Sequence, residues 1–147
     1  MVAKLTVALQ DDGPFCMDVQ LSCATGEILA LVGPSGSGKS RVLRSIAGLY
    51  RPKRGEIIYG DEVWYDPAKA VNLTPQQRRV GIVFQNYALF PHLSAIKNVM
   101  EALGDRPHSE RWARAGELLG LVNLGGLENL SPAALSGGQQ QRVAVAR

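Results

Sequence analysis

Two stretches near the start of the chain alternate apolar residues with others: Leu5, Val7 and Leu9, then Phe15, Met17, Val19 and Leu21. They flank Asp11-Asp-Gly-Pro14, and period-two alternation around such a cluster predicts two half-buried strands joined by a turn, the opening of an antiparallel β layer. The pattern then becomes an unbroken apolar run, Ile28-Leu-Ala-Leu-Val32, which predicts a buried strand over residues 27–32. Val42, Leu43, Ile46 and Ala47 follow at helical spacing and predict a helix from Lys39 to about Leu49, stopped by Arg51-Pro52. Residues 55–59 and 62–65 read as a short hairpin turning at Gly60-Asp61, with Trp64 and Tyr65 as packing residues rather than ligand contacts.

Further along, Thr74-Pro75-Gln76-Gln77 has a cap residue, proline at the first helical position and glutamine three after the cap, a capping box for one helical turn. A strand is expected at residues 80–84, ending at Gln85, with a loop from Asn86 to His92. Ser94 then caps a helix carrying Ile96, Val99, Met100 and Leu103, and residues 110–121 form another with Trp112, Ala115, Leu118 and Leu119 on one side. Alternating strand and helix patterns place the chain in the α/β class. Its 147 residues fit one domain, organised as a β layer and core at 1–93, a helical insert at 94–134, and a last motif with its helix at 135–147.

Candidate chemistry enters between the strand expected at 27–32 and the helix after it, where Gly33, Pro34, Ser35, Gly36, Ser37, Gly38, Lys39 and Ser40 form a complete G-x-x-x-x-G-K-S phosphate loop. Glycines at 33, 36 and 38 let the backbone wrap a polyphosphate with its N–H groups uncovered, and the following helix adds its positive end. Lys39 supplies a mobile charge for the β and γ phosphates, and the Ser40 hydroxyl is placed to ligate the Mg²⁺ that bridges them. The expected ligand is a nucleoside triphosphate.

A second glycine motif, Leu135-Ser136-Gly137-Gly138-Gln139, opens the last helical run with a serine cap and glutamine three residues on. Two glycines in a first turn cost about 1 kcal/mol each relative to alanine, yet they leave bare N–H groups at a positive helix end, as an anion site requires.

Composition narrows the setting. With 46% hydrophobic and 20% charged residues and a net charge of +3, the chain is an ordinary globular one. Its basic residues are scattered, at Lys53/Arg54, Arg78/Arg79 and the Arg41, Arg44, Arg51 series, as on a solvated face; no nucleic-acid partner is expected. Cys16 and Cys23 lack metal-ligand spacing and read as reduced thiols in the cytosol. No signal-peptide pattern and no run of transmembrane length is evident, so any membrane role is expected to come through a partner.

Residues 33–40, Gln85 at a strand end, and residues 135–139 followed by Gln140-Gln-Arg142-Val resemble, in this order, the Walker A, Q-loop and signature motifs of ABC ATPases. The resemblance spans essentially the whole chain. Segments 72–80 and 83–92 look like importer ATPases of the molybdate, sulfate and sugar group, with molybdate the preferred solute. It implies a P-loop NTPase core with a mainly parallel sheet, an N-terminal antiparallel β subdomain and a helical insert. It further implies ATP and Mg²⁺ as ligands, and a homodimer in which the Ser136, Gly137, Gly138 and Gln139 of one copy meet the γ-phosphate held by Lys39 of the other. Lys39 and Gln85 are then the catalytic candidates, with Ser40 and Gln85 at the metal. A membrane permease would contact residues 86–92 on the inner face of the cell membrane, although Phe90 and Pro91 packing on the chain's own helical insert is an alternative.

The family also has a Walker B aspartate, a neighbouring glutamate and a switch histidine, and none of the three is found; they are expected after Arg147, so the chain reads as the front part of such a domain. Asp105, Glu110, Glu117 and Glu128 read as solvated charges. The isolated polypeptide is therefore expected to be marginally stable, with an unpaired edge at 28–32, and to hydrolyse ATP poorly. Arg41 stands where the family usually has a second hydroxyl, which puts one α-phosphate contact in doubt unless the guanidinium replaces it. Phe15 is the nearest candidate to stack on the base, with core packing the equal alternative. A non-transport ABC ATPase acting on nucleic acid or the ribosome, and an ATP-binding protein without turnover, are the competing functions.

Overall fold

A computed structural model describes residues 3–12, 16–104 and 106–147. The chain divides into two compact units, Met1–Ile82 and Val83–Arg147. The first is built on a five-stranded antiparallel sheet in the order β2-β1-β3-β4-β5. Strands β1 (Lys4–Asp11) and β2 (Met17–Ala24) pair from Lys4↔Ala24 to Asp11↔Met17, as their alternation predicts. β3 (Arg54–Tyr59) and β4 (Glu62–Asp66) form the second hairpin, and the two-residue β5 (Val71–Asn72), which the sequence pattern did not reveal, closes the sheet. Phe15 and Asp105 lie outside the described residues, so neither the stacking nor the solvated-charge expectation is addressed there.

Register explains one glycine. Gly55 pairs with Leu9 at a φ of +114°, and a Cβ there would stand 2.0 Å from the Ala8 carbonyl oxygen, so only glycine lets β3 lie this close to β1. Val7, Leu9, Met17, Ile57, Trp64 and Tyr65 from the sheet and Val42 from helix α1 (Lys39–Ile46) make the core of this unit, which confirms Trp64 and Tyr65 as packing residues.

The strands expected at 27–32 and 80–84 are not formed. Residues 27–34 and 80–84 carry no regular structure, and Ile28 and Val32 are 96% and 92% exposed, while Leu31 and Val80 rest against the core. Neither segment has a neighbouring strand among the described residues, and a strand exists only through its ladder partners. Helix α1 also ends earlier than expected, at Ile46, because Gly48 turns the chain with a φ of +77°.

Two tyrosine hydroxyls tie this unit down. Tyr50 donates to the buried Asp11 carboxylate and Tyr65 to the Pro52 carbonyl. The hydrogen bond to Asp11 and then burial raise the Tyr50 pKa above its ordinary 10.0, and burial raises that of Tyr65. A folded-state pKa raised above the unfolded value gives stability that is fully present below pH 10 and is lost as pH climbs through the folded value. We expect urea midpoints to be flat through neutral pH and to fall above about pH 10, and the fall to shrink in Tyr50→Phe; an unchanged alkaline fall in that variant would show that other groups drive it.

The second unit is helical. α3 (Ala95–Met100), α4 (His108–Leu121) and α5 (Gly137–Ala146) enclose Ile96, Val99, Ala115, Leu119, Leu124, Leu135 and Val143. Trp112, expected on the packed side of α4, is instead 40% exposed and stacks on His108. No helix among the described residues is long and apolar enough to cross a membrane.

Candidate functional site

Gly33 to Arg41 stand together in the first unit. After the irregular segment 27–34, Ser35 and Gly36 turn, with Gly36 at a φ of +83°, and the Ser37 N–H donates to the Pro34 carbonyl at 3.3 Å. Gly38, at a φ of +89°, is the N-cap of α1 and makes no side-chain cap bond. No acidic residue occupies the first turn, so the opening N–H groups of the helix and its positive end face an uncapped terminus. A Cβ at Gly33 would approach the Ser37 hydroxyl to 3.0 Å, whereas Gly36 and Gly38 have open space and need glycine for their backbone conformation.

Lys39 closes the loop on itself. Its ammonium donates to the carbonyls of Gly33 (2.8 Å) and Pro34 (2.7 Å) and to the Ser37 hydroxyl (3.3 Å). This holds a cation at the mouth of the loop. Ser40 is exposed one residue on, and the Arg41 guanidinium lies 5.5 Å from the centre of the Tyr50 ring.

The far end of α1 is held by Arg78, which is buried and not on the solvated face expected of the scattered basic residues. Arg78 is only 4% exposed; its Nη1 donates to the Ser45 (2.6 Å) and Ile46 (2.9 Å) carbonyls, the last turn of α1. Nε reaches the Leu73 carbonyl at 2.9 Å, and Nη2 reaches the Trp64 carbonyl and the Asn72 Oδ1, both at 3.2 Å. The expected capping box at Thr74 is present and starts α2 (Pro75–Arg78), the turn that ends on this arginine. α1 therefore has a buried cation at its negative end, and at its positive end neither a side-chain cap nor an acidic residue in the first turn.

Gln85 and the second glycine motif belong to the second unit. Gln85 is exposed at the start of a turn in which Tyr87 and Ala88 take left-handed φ values of +59° and +48°. Leu89 packs on the helical core, whereas Phe90 and Pro91, the residues of the insert-packing alternative, are exposed, Phe90 to 42%, with its ring centre 6.1 Å from that of His92. Two further residues, which the sequence did not single out, hold this loop: Asn98 and Arg147.

Ser136 caps α5 as expected. Its hydroxyl accepts from the Gln139 N–H (3.3 Å), and the Gln139 side chain accepts from the Ser136 N–H (2.8 Å), so Gln139 is engaged within its own turn. Gly137 and Gly138 are exposed, have no positive φ, and a Cβ on either would meet nothing within 4 Å. Nothing among the described residues calls for glycine at either position. Among the described residues no group of three or more His, Cys, Asp and Glu side chains is arranged to hold a metal.

The family model described as ABC transporter matches residues 16–147. The chain belongs to the ABC transporter family. Within that family it is 51% identical over 140 residues to the sulfate/thiosulfate import ATP-binding protein CysA of Mesorhizobium japonicum, covering 91% of this chain and 39% of that protein. The CysA protein of Xanthomonas campestris is 48% identical over 136 residues, 88% of this chain and 38% of its own length. The chain thus spans about two fifths of the length of these curated relatives. A solved dimeric ATP-binding cassette, MJ0796 in a post-hydrolysis state bound to ADP and Pi, superimposes with a TM-score of 0.72 at 35% identity, covering 98% of this chain and 67% of that one. The mixed α/β ABC fold expected from the motifs is thereby shown. Relatives named for sulfate/thiosulfate lend no support to molybdate as the solute.

Proposed function

We propose that this chain is the nucleotide-binding part of the ATP-binding subunit of an importer for sulfate or thiosulfate. The observation that carries the reading is the uncapped N-terminus of α1 at Gly38 with the Lys39 ammonium beside it, an anion site prepared before any ligand binds. MgATP fits this donor set: backbone N–H groups and Lys39 take the phosphates, and the exposed Ser40 supplies a hydroxyl for the metal. Mg²⁺, when bound, neutralises phosphate charge. Gln85 is assigned to that metal and to positioning the attacking water, and residues 86–92 to a membrane permease. Ser136, Gly137 and Gly138 are assigned to nucleotide on a second copy, which accounts for two exposed glycines without an internal reason.

This division of labour has a direct test. Ser136→Ala removes a cap, costing about 1 kcal/mol of helix stability, and should leave MgATP affinity of the single chain within twofold. It should also abolish the shift from monomer to dimer that a non-hydrolysed ATP analogue induces in sedimentation velocity. Equal loss of affinity in this variant and in Lys39→Ala would refute the assignment.

A further inference from the structure

The end of α5 reaches back to the loop that starts at Gln85. Arg147 Nη1 donates to the Ala88 carbonyl at 2.7 Å, Nη2 to the Tyr87 carbonyl at 3.4 Å, and the guanidinium lies 5.5 Å from the centre of the Phe90 ring. From the other side Asn98, fully buried, saturates its amide: Oδ1 accepts from the Phe90 N–H (2.8 Å), and Nδ2 donates to the carbonyls of Phe90, Leu93 and Ser94, each at 3.1 Å. Tyr87 and Ala88 are the two consecutive left-handed non-glycine residues of this loop, a conformation that persists only where surroundings impose it. The two carbonyls that Arg147 takes belong to those same two residues.

We propose that Arg147 is a positioning residue that locks Tyr87 and Ala88 in their left-handed turn and makes the loop after Gln85 one body with α5. A displacement of the Ser136 end of that helix is then passed to Gln85, two residues from the clamp. A planar guanidinium holds two adjacent carbonyls from two separate nitrogens while lying over a ring, a geometry that the single nitrogen of Lys matches only in part. The functional meaning of this link rests on the importer reading, whereas the clamp itself does not.

Amide hydrogen exchange on the 147-residue chain, read without nucleotide, separates the two. In Arg147→Ala the amides of residues 85–90 should exchange at least about tenfold faster, while α4 and the first two turns of α5 keep wild-type rates. Arg147→Lys should recover part of the protection, and Phe90→Leu, which removes only the ring, should lose a smaller part. Unchanged exchange at 85–90 in Arg147→Ala, or an equal rise throughout α5, would overturn the proposal, the second because it signals helix fraying. MgATP affinity of Arg147→Ala should stay within twofold of wild type; a parallel loss would make Arg147 a binding residue and overturn the positioning role. A wild-type chain that fails to bind MgATP refutes the importer reading and leaves the exchange result standing.

Discussion

Lys39→Ala is expected to weaken MgATP binding at least about 100-fold, the consequence of losing two charge-assisted hydrogen bonds to phosphate at about 1.5 kcal/mol or more each. The structure adds a second reason. Because the ammonium already joins the Gly33 and Pro34 carbonyls and the Ser37 hydroxyl, its removal also loosens the loop whose N–H groups form the cradle. Lys39→Arg separates the effects: it keeps the charge, but a planar fork does not match three acceptors arranged around one point, so affinity should fall by less than in the alanine variant and not return to wild type. Calorimetric titration with MgATP at fixed salt reads both, and an alanine variant within fivefold of wild type would remove Lys39 from the site. Thermal unfolding provides the control, since Lys39 lies outside the hydrophobic core.

The features legible in the sequence are those whose causes are local. The capping boxes at Thr74 and Ser136 formed as read, because both partners of each reciprocal bond lie within four residues. The glycine loop at 33–40 was legible for the same reason: its left-handed glycines and the start of α1 are set within one turn. The runs at 28–32 and 80–84 misled because hydrophobicity states a wish for burial, while a strand also requires a partner that the run does not contain. Asn98 was hidden among the helical residues of α3, and Arg147 acts on carbonyls 59 and 60 positions away. No spacing rule exposes such a contact.

Arg78 is the strongest instance, and its replacement carries the largest expected loss of stability. The guanidinium satisfies four backbone carbonyls and one side-chain amide oxygen, and burial lowers its pKa. Truncation to alanine strips these acceptors of a charged donor, opens a cavity beside Trp64, and leaves the last turn of α1 without its cation. Buried groups left unpartnered cost about 1–3 kcal/mol each, partly relieved by entering water, so we expect a total loss of about 4 kcal/mol. Arg78→Lys should recover less than half, because three donors around one nitrogen cannot reach five acceptors spread from Ser45 to Leu73. Urea unfolding followed by tryptophan fluorescence in a Trp112→Phe background measures both, and an alanine variant within about 1 kcal/mol of wild type would show that solvent replaces the guanidinium without penalty. The same variant joins fold to function: with its C-terminal end released, α1 presents its phosphate-binding end less rigidly, so MgATP affinity should fall even though Arg78 stands at the opposite end of the helix from Gly38 and Lys39.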